Sequence, residues 1–188
     1  KNDLNELHWF NIVHHVEGID HIQSINDIED LYTMWVRSIW FVWNFDNSLA
    51  ANNTNNSKQW LTILGREIVE FMNMRWMIVD TAHMNHQSMM DVVHYSTKPI
   101  LNSHSNIRTL HDHTRNVEDE FIDALGENGW VLWLSIYSAF ISQDPIVTID
   151  HYLDQIRYVK NRIWEDHIAL WTDFHGLVTS KCIQWLQH

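Results

Sequence analysis

The longest segment of this chain with one unbroken hydrophobic period is residues 57–95, SKQWLTILGREIVEFMNMRWMIVDTAHMNHQSMMDVVHY. Steps of four and three residues from its start meet apolar side chains at nearly every position. These positions are Leu61, Gly65, Ile68, Met72, Arg75, Val79, Ala82, His86, Met89 and Val93. Because this period is typical of an amphipathic helix, the sequence predicts one long helix from Ser57 to Tyr95.

The rest of the chain extends this interpretation to an all-α fold. The 188 residues include only five Gly and two Pro, which favours long helices over the many turns of a β fold. Similar periods divide the chain into four helical segments of similar length, which we call columns. They are residues 3–43, 58–95, 100–142 and 145–187, and the first and third are interrupted near residues 26 and 127. The connections are too short to span a column, so neighbours run antiparallel. The sequence therefore predicts one domain, residues 1–188, folded as an up-down-up-down four-helix bundle.

Composition limits the partners and the setting. The formal net charge is −12 with no basic stripe, which argues against a nucleic-acid partner. The most apolar run, residues 130–141, has 12 residues, whereas a membrane-spanning helix needs about 20. The single cysteine, Cys182, excludes an internal disulfide and favours a cytoplasmic over a secreted protein. The sequence predicts a soluble, acidic protein.

Fourteen histidines are the most unusual polar feature. In an antiparallel hairpin, residues at the same height have numbers with a constant sum. For the second and third columns this rule pairs His83 with His113, His86 with His111 and His94 with His104. Extended to all four columns, it predicts one layer with a histidine from each column. The predicted metal ligands are His15, His86, His111 and His175, with Glu17, Asp80, Asp112 and Asp173 as nearby carboxylates.

Two functions are compatible with this prediction. The first is a soluble helical bundle that binds a transition metal, iron or zinc, or a haem through these histidines, for oxygen or redox chemistry. The second is a non-enzymatic interaction or scaffold protein, secreted or designed, whose exposed tryptophans meet a protein partner or a second copy. Its histidines would be structural or pH-responsive, because protonating all 14 would change the net charge from −12 to about +2. The sequence does not decide whether the protein is an enzyme.

Overall fold

Short strands alternate with helices along the chain. The computed structural model describes residues 12–54 and 57–172. In chain order the elements are β1 (His14–Glu17), α1 (Ile25–Thr33), β2 (Val36–Trp40), α2 (Ile63–Met74), β3 (Ile78–Asp80), α3 (His86–Tyr95), β4 (Leu101–Ser105), α4 (Asp119–Asn128), β5 (Val131–Ser135), α5 (Ser138–Ile141), α6 (Ile149–Ile163), a short 3-10 helix (Glu165–His167) and β6 (Ile168–Trp171). The fold is therefore α/β.

The six strands form one parallel sheet whose spatial order, β1-β2-β3-β4-β5-β6, is the order of the chain. In known proteins, the crossovers that join neighbouring parallel strands are nearly always right-handed. Because the strand order never reverses, successive helices lie on the same face of the sheet. In agreement, α1 packs on α2, α2 on α3, α3 on α4, and α4 on α6. This is the arrangement of part of a βα barrel, in which functional groups lie at the carboxyl ends of the strands.

Local sequence explains where the helices next to these strand ends begin. The Thr62 hydroxyl accepts a hydrogen bond from the Gly65 amide at 3.0 Å, which caps the first turn of α2. The Asn85 side chain accepts from the Ser88 amide at 2.8 Å and caps α3 in the same way. The core lies between these helices and the sheet, where Ile39 of β2 and Ile68 and Met72 of α2 are fully buried.

The prediction of an all-α four-helix bundle is wrong. Residues 57–95 do not form one helix but the unit α2-β3-α3. The hydrophobic period passed through this unit unchanged because the segment between the two helices contains the buried apolar residues Met77 and Val79. Buried parallel strands show short apolar runs without alternation, so they fit any period.

The sequence also lacks the glycine that usually marks the turn after a helix such as α2. The residue just after α2 that reverses the chain is Trp76, with a φ of 55°, a conformation in which glycine is usual. The other columns also contain strands: the first contains β1 and β2, and the apolar run 130–141 contains β5 and α5. Helix α6 ends at Ile163, although the prediction extended it to the end of the chain. Within the described residues, no helix is both long and apolar enough to cross a membrane.

Gly65 of α2 lies close to the backbone of the preceding loop. A Cβ atom on this residue would lie 2.3 Å from the Leu49 carbonyl oxygen. We expect Gly65→Ala to lower the free energy of unfolding by about 1–3 kcal/mol, because the backbone of a packed loop has to move. Chemical denaturation measures this change, with Glu67→Ala as the control at an exposed site in the same helix. Equal stability of the two variants would contradict the prediction.

Candidate metal centre

Polar side chains collect at the carboxyl ends of neighbouring strands. His83 follows β3 by three residues, and His104 lies near the end of β4. Both side chains are buried, with 7% and 4% of their surface exposed. Because β3 and β4 are adjacent and parallel, their ends meet at the same edge of the sheet. This edge is where the fold places a functional site.

The two imidazoles face each other directly. The Nε2 atom of His83 lies 2.9 Å from the Nε2 atom of His104, and the Nδ1 atom of His104 lies 2.8 Å from the Ser103 hydroxyl. In the absence of a metal, one ring must donate a hydrogen bond through its Nε2–H group to the unprotonated Nε2 atom of the other ring. Two ring nitrogens that converge on one point are also the arrangement of two metal ligands.

The loop that presents His83 is fixed by hydrogen bonds. The Asp80 carboxylate accepts from the amides of Ala82 at 2.9 Å and Ser103 at 3.1 Å, so one side chain joins the ends of β3 and β4. The backbone carbonyl of His83 accepts from the Asn53 amide at 3.0 Å. His83 has a φ of 68°, and such a conformation at a non-glycine residue is typical of functional sites.

Burial keeps the histidine pair neutral. Desolvation, followed by the charge of the nearby Arg115 guanidinium, lowers the pKa of His83 to about 2. The same two causes, with His83 and His15 behind them, lower the pKa of His104 well below its ordinary value. Burial raises the pKa of Asp80, although its two backbone hydrogen bonds act in the opposite direction. Neutral imidazoles keep the lone pair that a metal ion requires.

A carboxylate lies on the same face of the sheet. Glu17 ends β1 and is in register with Trp40, which is in register with Asp80 of β3. Residues paired in this way point to the same face. Within residues 12–54 and 57–172, however, no three His, Cys, Asp or Glu side chains are already placed to hold a metal ion. The pair therefore offers two candidate ligands, and Glu17 is a third candidate by its position.

Of the predicted ligands that the structure describes, His86 and His111 lie apart from this pair, whereas His15 lies on the same face of the sheet. His15 points to the same face from β1, where its Nδ1 atom is 2.8 Å from the Ser38 hydroxyl and its Nε2 atom is 3.7 Å from Asp80. His86 starts α3 and contacts Glu120 at 3.2 Å, whereas His111 contacts the Ala139 carbonyl oxygen at 3.1 Å. His175 lies outside the described residues, so the set of four stays a prediction.

Sequence reasoning missed the pair of His83 and His104. The hairpin rule placed each opposite another histidine, His113 and His94, because it assumed antiparallel helices. A usable signal was present in IVDTAH, residues 78–83, and ILNSHS, residues 100–105. In both, a short apolar run is followed by polar residues, as at the carboxyl end of a buried parallel strand.

Comparison with known proteins agrees with this geometry. The family model of the membrane dipeptidases, peptidase family M19, matches residues 2–184. An uncharacterized dipeptidase of Schizosaccharomyces pombe, C965.12, is 32% identical over 152 residues, which cover 78% of this chain and 36% of the relative. Dipeptidase tcpJ of Claviceps purpurea is 36% identical over 114 residues, which cover 60% of this chain and 27% of the relative. This chain thus spans about a third of the length of these two relatives.

Solved structures show the same fold. An amidohydrolase from Pseudomonas aeruginosa superposes with a TM-score of 0.77 at 26% identity, over 94% of this chain and 52% of that one. A metallo peptidase from Rhodobacter sphaeroides, solved with a phosphinate mimic of the dipeptide L-Ala-D-Ala, superposes with a TM-score of 0.84 over 92% of this chain and 51% of that one. At 22% identity, the second likeness shows the fold alone.

These findings replace both functional predictions, the histidine bundle and the non-enzymatic interaction protein. A bound transition metal fits the comparisons, whereas haem has no support in them. With a family model that matches 183 of its 188 residues, the chain belongs to the membrane dipeptidases of peptidase family M19.

Proposed function

We propose that this protein is a metal-dependent dipeptidase whose metal ion is held in part by His83 and His104. The observation that carries the proposal is the 2.9 Å approach of two buried Nε2 atoms at the carboxyl ends of adjacent parallel strands. Relatives named as dipeptidases and a related fold named as a metallo peptidase support it. Neutral imidazoles combined with a carboxylate are ordinary ligands of zinc, which is the metal we propose.

The residues present fit such an ion. Both imidazoles are neutral, and the contact between the Ser103 hydroxyl and Nδ1 of His104 orients that ring with Nε2 directed toward His83. His83, His104 and Glu17 would hold the zinc ion together with ligands from outside this group. When bound there, zinc would polarise the scissile carbonyl and lower the pKa of a water molecule.

Arg115 is the group best placed to bind the substrate carboxylate. It is 7% exposed, and its guanidinium donates a hydrogen bond to the His104 carbonyl oxygen at 3.2 Å. Its charge also lowers the pKa of both His83 and His104, so it lies close to the pair. A dipeptide has a free carboxylate one residue from its scissile bond. A guanidinium beside the metal ligands would bind that carboxylate and position the peptide bond.

We expect Arg115→Ala to raise KM for a dipeptide about 10- to 100-fold, because a charge-assisted hydrogen bond contributes about 1.5–3 kcal/mol. The same variant should change KM little for the matching dipeptide amide, which lacks the carboxylate. Steady-state kinetics with both substrates measures the difference, and Arg108→Ala is the control at a more exposed arginine. An equal loss for both substrates would mean that Arg115 acts only on the structure.

The direct test uses the full-length protein, stripped with a chelator and reloaded with zinc. We expect the reloaded protein to hydrolyse unblocked dipeptides and the stripped protein to be inactive. An N-acetylated tripeptide serves as the control substrate and should not be cleaved. If the protein binds zinc stoichiometrically through His83 and His104 but cleaves none of a broad panel of dipeptides, the proposed activity is excluded.

A further inference from the structure

Tryptophan occupies backbone conformations that normally require glycine. Four non-glycine residues among those described have a positive φ, namely Trp35 at 67°, Trp76 at 55°, Trp164 at 74° and His83. His83 belongs to the candidate metal centre, but the other three do not. Tryptophan makes up 11 of the 188 residues, yet it holds three of these four positions. For a bulky side chain, a positive φ is a true outlier.

All three tryptophans have the same structural role. Each lies immediately after a helix or one residue further on, and its amide donates a hydrogen bond back into that helix. The acceptors are the carbonyl oxygens of Tyr32 at 3.0 Å, Asn73 at 3.2 Å and Lys160 at 3.1 Å. Helices commonly end with a left-handed glycine in this role. Helix α4 does so with Gly129, which has a φ of 72°.

Side-chain packing does not explain the three tryptophans. Trp35, Trp76 and Trp164 are 72%, 73% and 76% exposed, so they bury little apolar surface in return for the strained backbone. Trp76 contacts the Lys98 ammonium at 3.6 Å from its ring centre, which is a surface interaction. Trp164 combines its φ of 74° with a ψ of 163°, a region populated almost only by glycine.

A fourth tryptophan, Trp40, is unusual because it is buried with an unsatisfied indole N–H group. Trp40, at the end of β2, is 4% exposed, and its indole N–H has no hydrogen-bond partner. Its ring centre lies 4.7 Å from that of His104 and 5.2 Å from that of His83. If the pair binds a metal, as the proposed function requires, this indole fills space next to the ion and its substrate. A residue without a side chain would leave that space open.

We propose that positions 35, 76, 164 and 40 are decoded as glycine where this protein is made, from UGA codons. UGG is the ordinary tryptophan codon, whereas UGA is a stop codon that some genetic codes reassign to tryptophan and others to glycine. Reading a glycine UGA with the tryptophan assignment produces tryptophan at glycine positions and too little glycine overall. The chain has five Gly, whereas average usage of about 7% corresponds to about 13 in a chain of this length.

The deciding experiment reads the gene and the protein from the source organism. We expect UGA at the four codons, and glycine in the peptides that cover these positions when the purified protein is analysed by tandem mass spectrometry. Each replacement lowers the peptide mass by the difference between an indolylmethyl group and a hydrogen atom. UGG codons at these positions, or UGA codons with tryptophan in the peptides, would overturn the proposal.

Recombinant variants test the structural argument independently. We expect Tm to rise by about 2–8 °C in each of the variants Trp35→Gly, Trp76→Gly and Trp164→Gly. Glycine has no Cβ atom, so the clash between Cβ and the backbone in the left-handed conformation is removed. Alanine at the same positions is the matched control, since it removes the indole but keeps the Cβ atom. If the alanine variants gain as much as the glycine variants, exposed indole rather than backbone strain causes the instability, and the structural basis of the proposal fails.

The variant Trp40→Gly tests the metal centre independently of the decoding proposal. We expect Trp40→Gly to increase zinc uptake measured by titration calorimetry, while Trp60→Gly, an exposed position with an ordinary backbone, leaves it unchanged. Glycine found in the native peptides together with unchanged zinc uptake in Trp40→Gly would leave the decoding intact and count against the metal centre. Tryptophan found in the native peptides would overturn the decoding proposal, and increased zinc uptake in Trp40→Gly would at the same time support the metal centre.

Discussion

Replacing His104 by alanine should lower the affinity for zinc about 100-fold and remove most hydrolysis of dipeptides. A structural zinc site contributes about 10–16 kcal/mol, so each of four ligands contributes about 3 kcal/mol, or about two orders of magnitude in affinity. The loss should be this large because His104 directs Nε2 to within 2.9 Å of His83 Nε2. Titration calorimetry on the stripped protein measures the affinity, and a dipeptide assay at saturating zinc measures the remaining activity.

The matched control is His94→Ala, which removes an exposed imidazole from α3. We expect His94→Ala to bind zinc and to cleave dipeptides as the unchanged protein does. Circular dichroism separates the loss of a ligand from the loss of the fold, because His104→Ala must keep the α/β spectrum for the result to count. Unchanged zinc affinity in a folded His104→Ala variant would remove the pair from the metal site.

The second large effect is a loss of stability in acid for the metal-free protein. His83 and His104 have lowered pKa values in the folded state, and their unfolded value is about 6.5. Below pH 6.5 the unfolded chain therefore binds protons that the folded protein does not, so stability falls as the pH falls. The slope approaches about 1.4 kcal/mol per pH unit for each group, so His83 alone, with a pKa of about 2, gives a loss of about 2 kcal/mol between pH 6.5 and 4.5. His104 adds to this loss in the same direction. Such a loss is a large fraction of the stability of many domains.

Asp80 acts in the opposite direction within the same site. Its raised pKa means that the folded protein binds this proton before the unfolded chain does, so the net slope decreases below that pKa. Urea denaturation at several pH values, with chelator present, measures the whole curve. His83→Asn should reduce the slope by about half, since asparagine tolerates a positive φ and does not titrate here. His94→Asn is the control, and an unchanged slope in His83→Asn would contradict the assignment.

The sequence permitted little of this fold to be predicted, for reasons that particular residues make clear. Val79 and Asp80 of β3 point to opposite faces of the sheet and are both buried, so the strand shows no alternation of buried and exposed residues. The apolar residues of this strand therefore extend the helical period on either side. The ends of α1, α2 and α6 carry tryptophan at the positions where glycine would mark a turn. Without that mark, strand and helix merge into one apparent column, and an α/β chain resembles a bundle.

The candidate site was derived from the wrong fold, and its set of four histidines stays a prediction. The heights of His86 and His111 were calculated for antiparallel helices, which the described part of the structure does not contain. In the parallel sheet, residues are close when they follow neighbouring strands, and this criterion selects His83 and His104. His15 was included for the wrong reason and still lies on the face of the sheet that the pair occupies.

The agreement between strand order and chain order also affects how the site assembles. Each neighbouring pair of strands is separated by a single crossover, so the loops that folding has to close are short and their entropic cost is low. His83 and His104 belong to one such crossover unit, β3-α3-β4. The two imidazoles would therefore meet as soon as that unit forms, before the outer strands pair. An ion captured at this stage would contribute its binding energy to the folding of the remaining chain, and metal supply would then influence how much native protein accumulates.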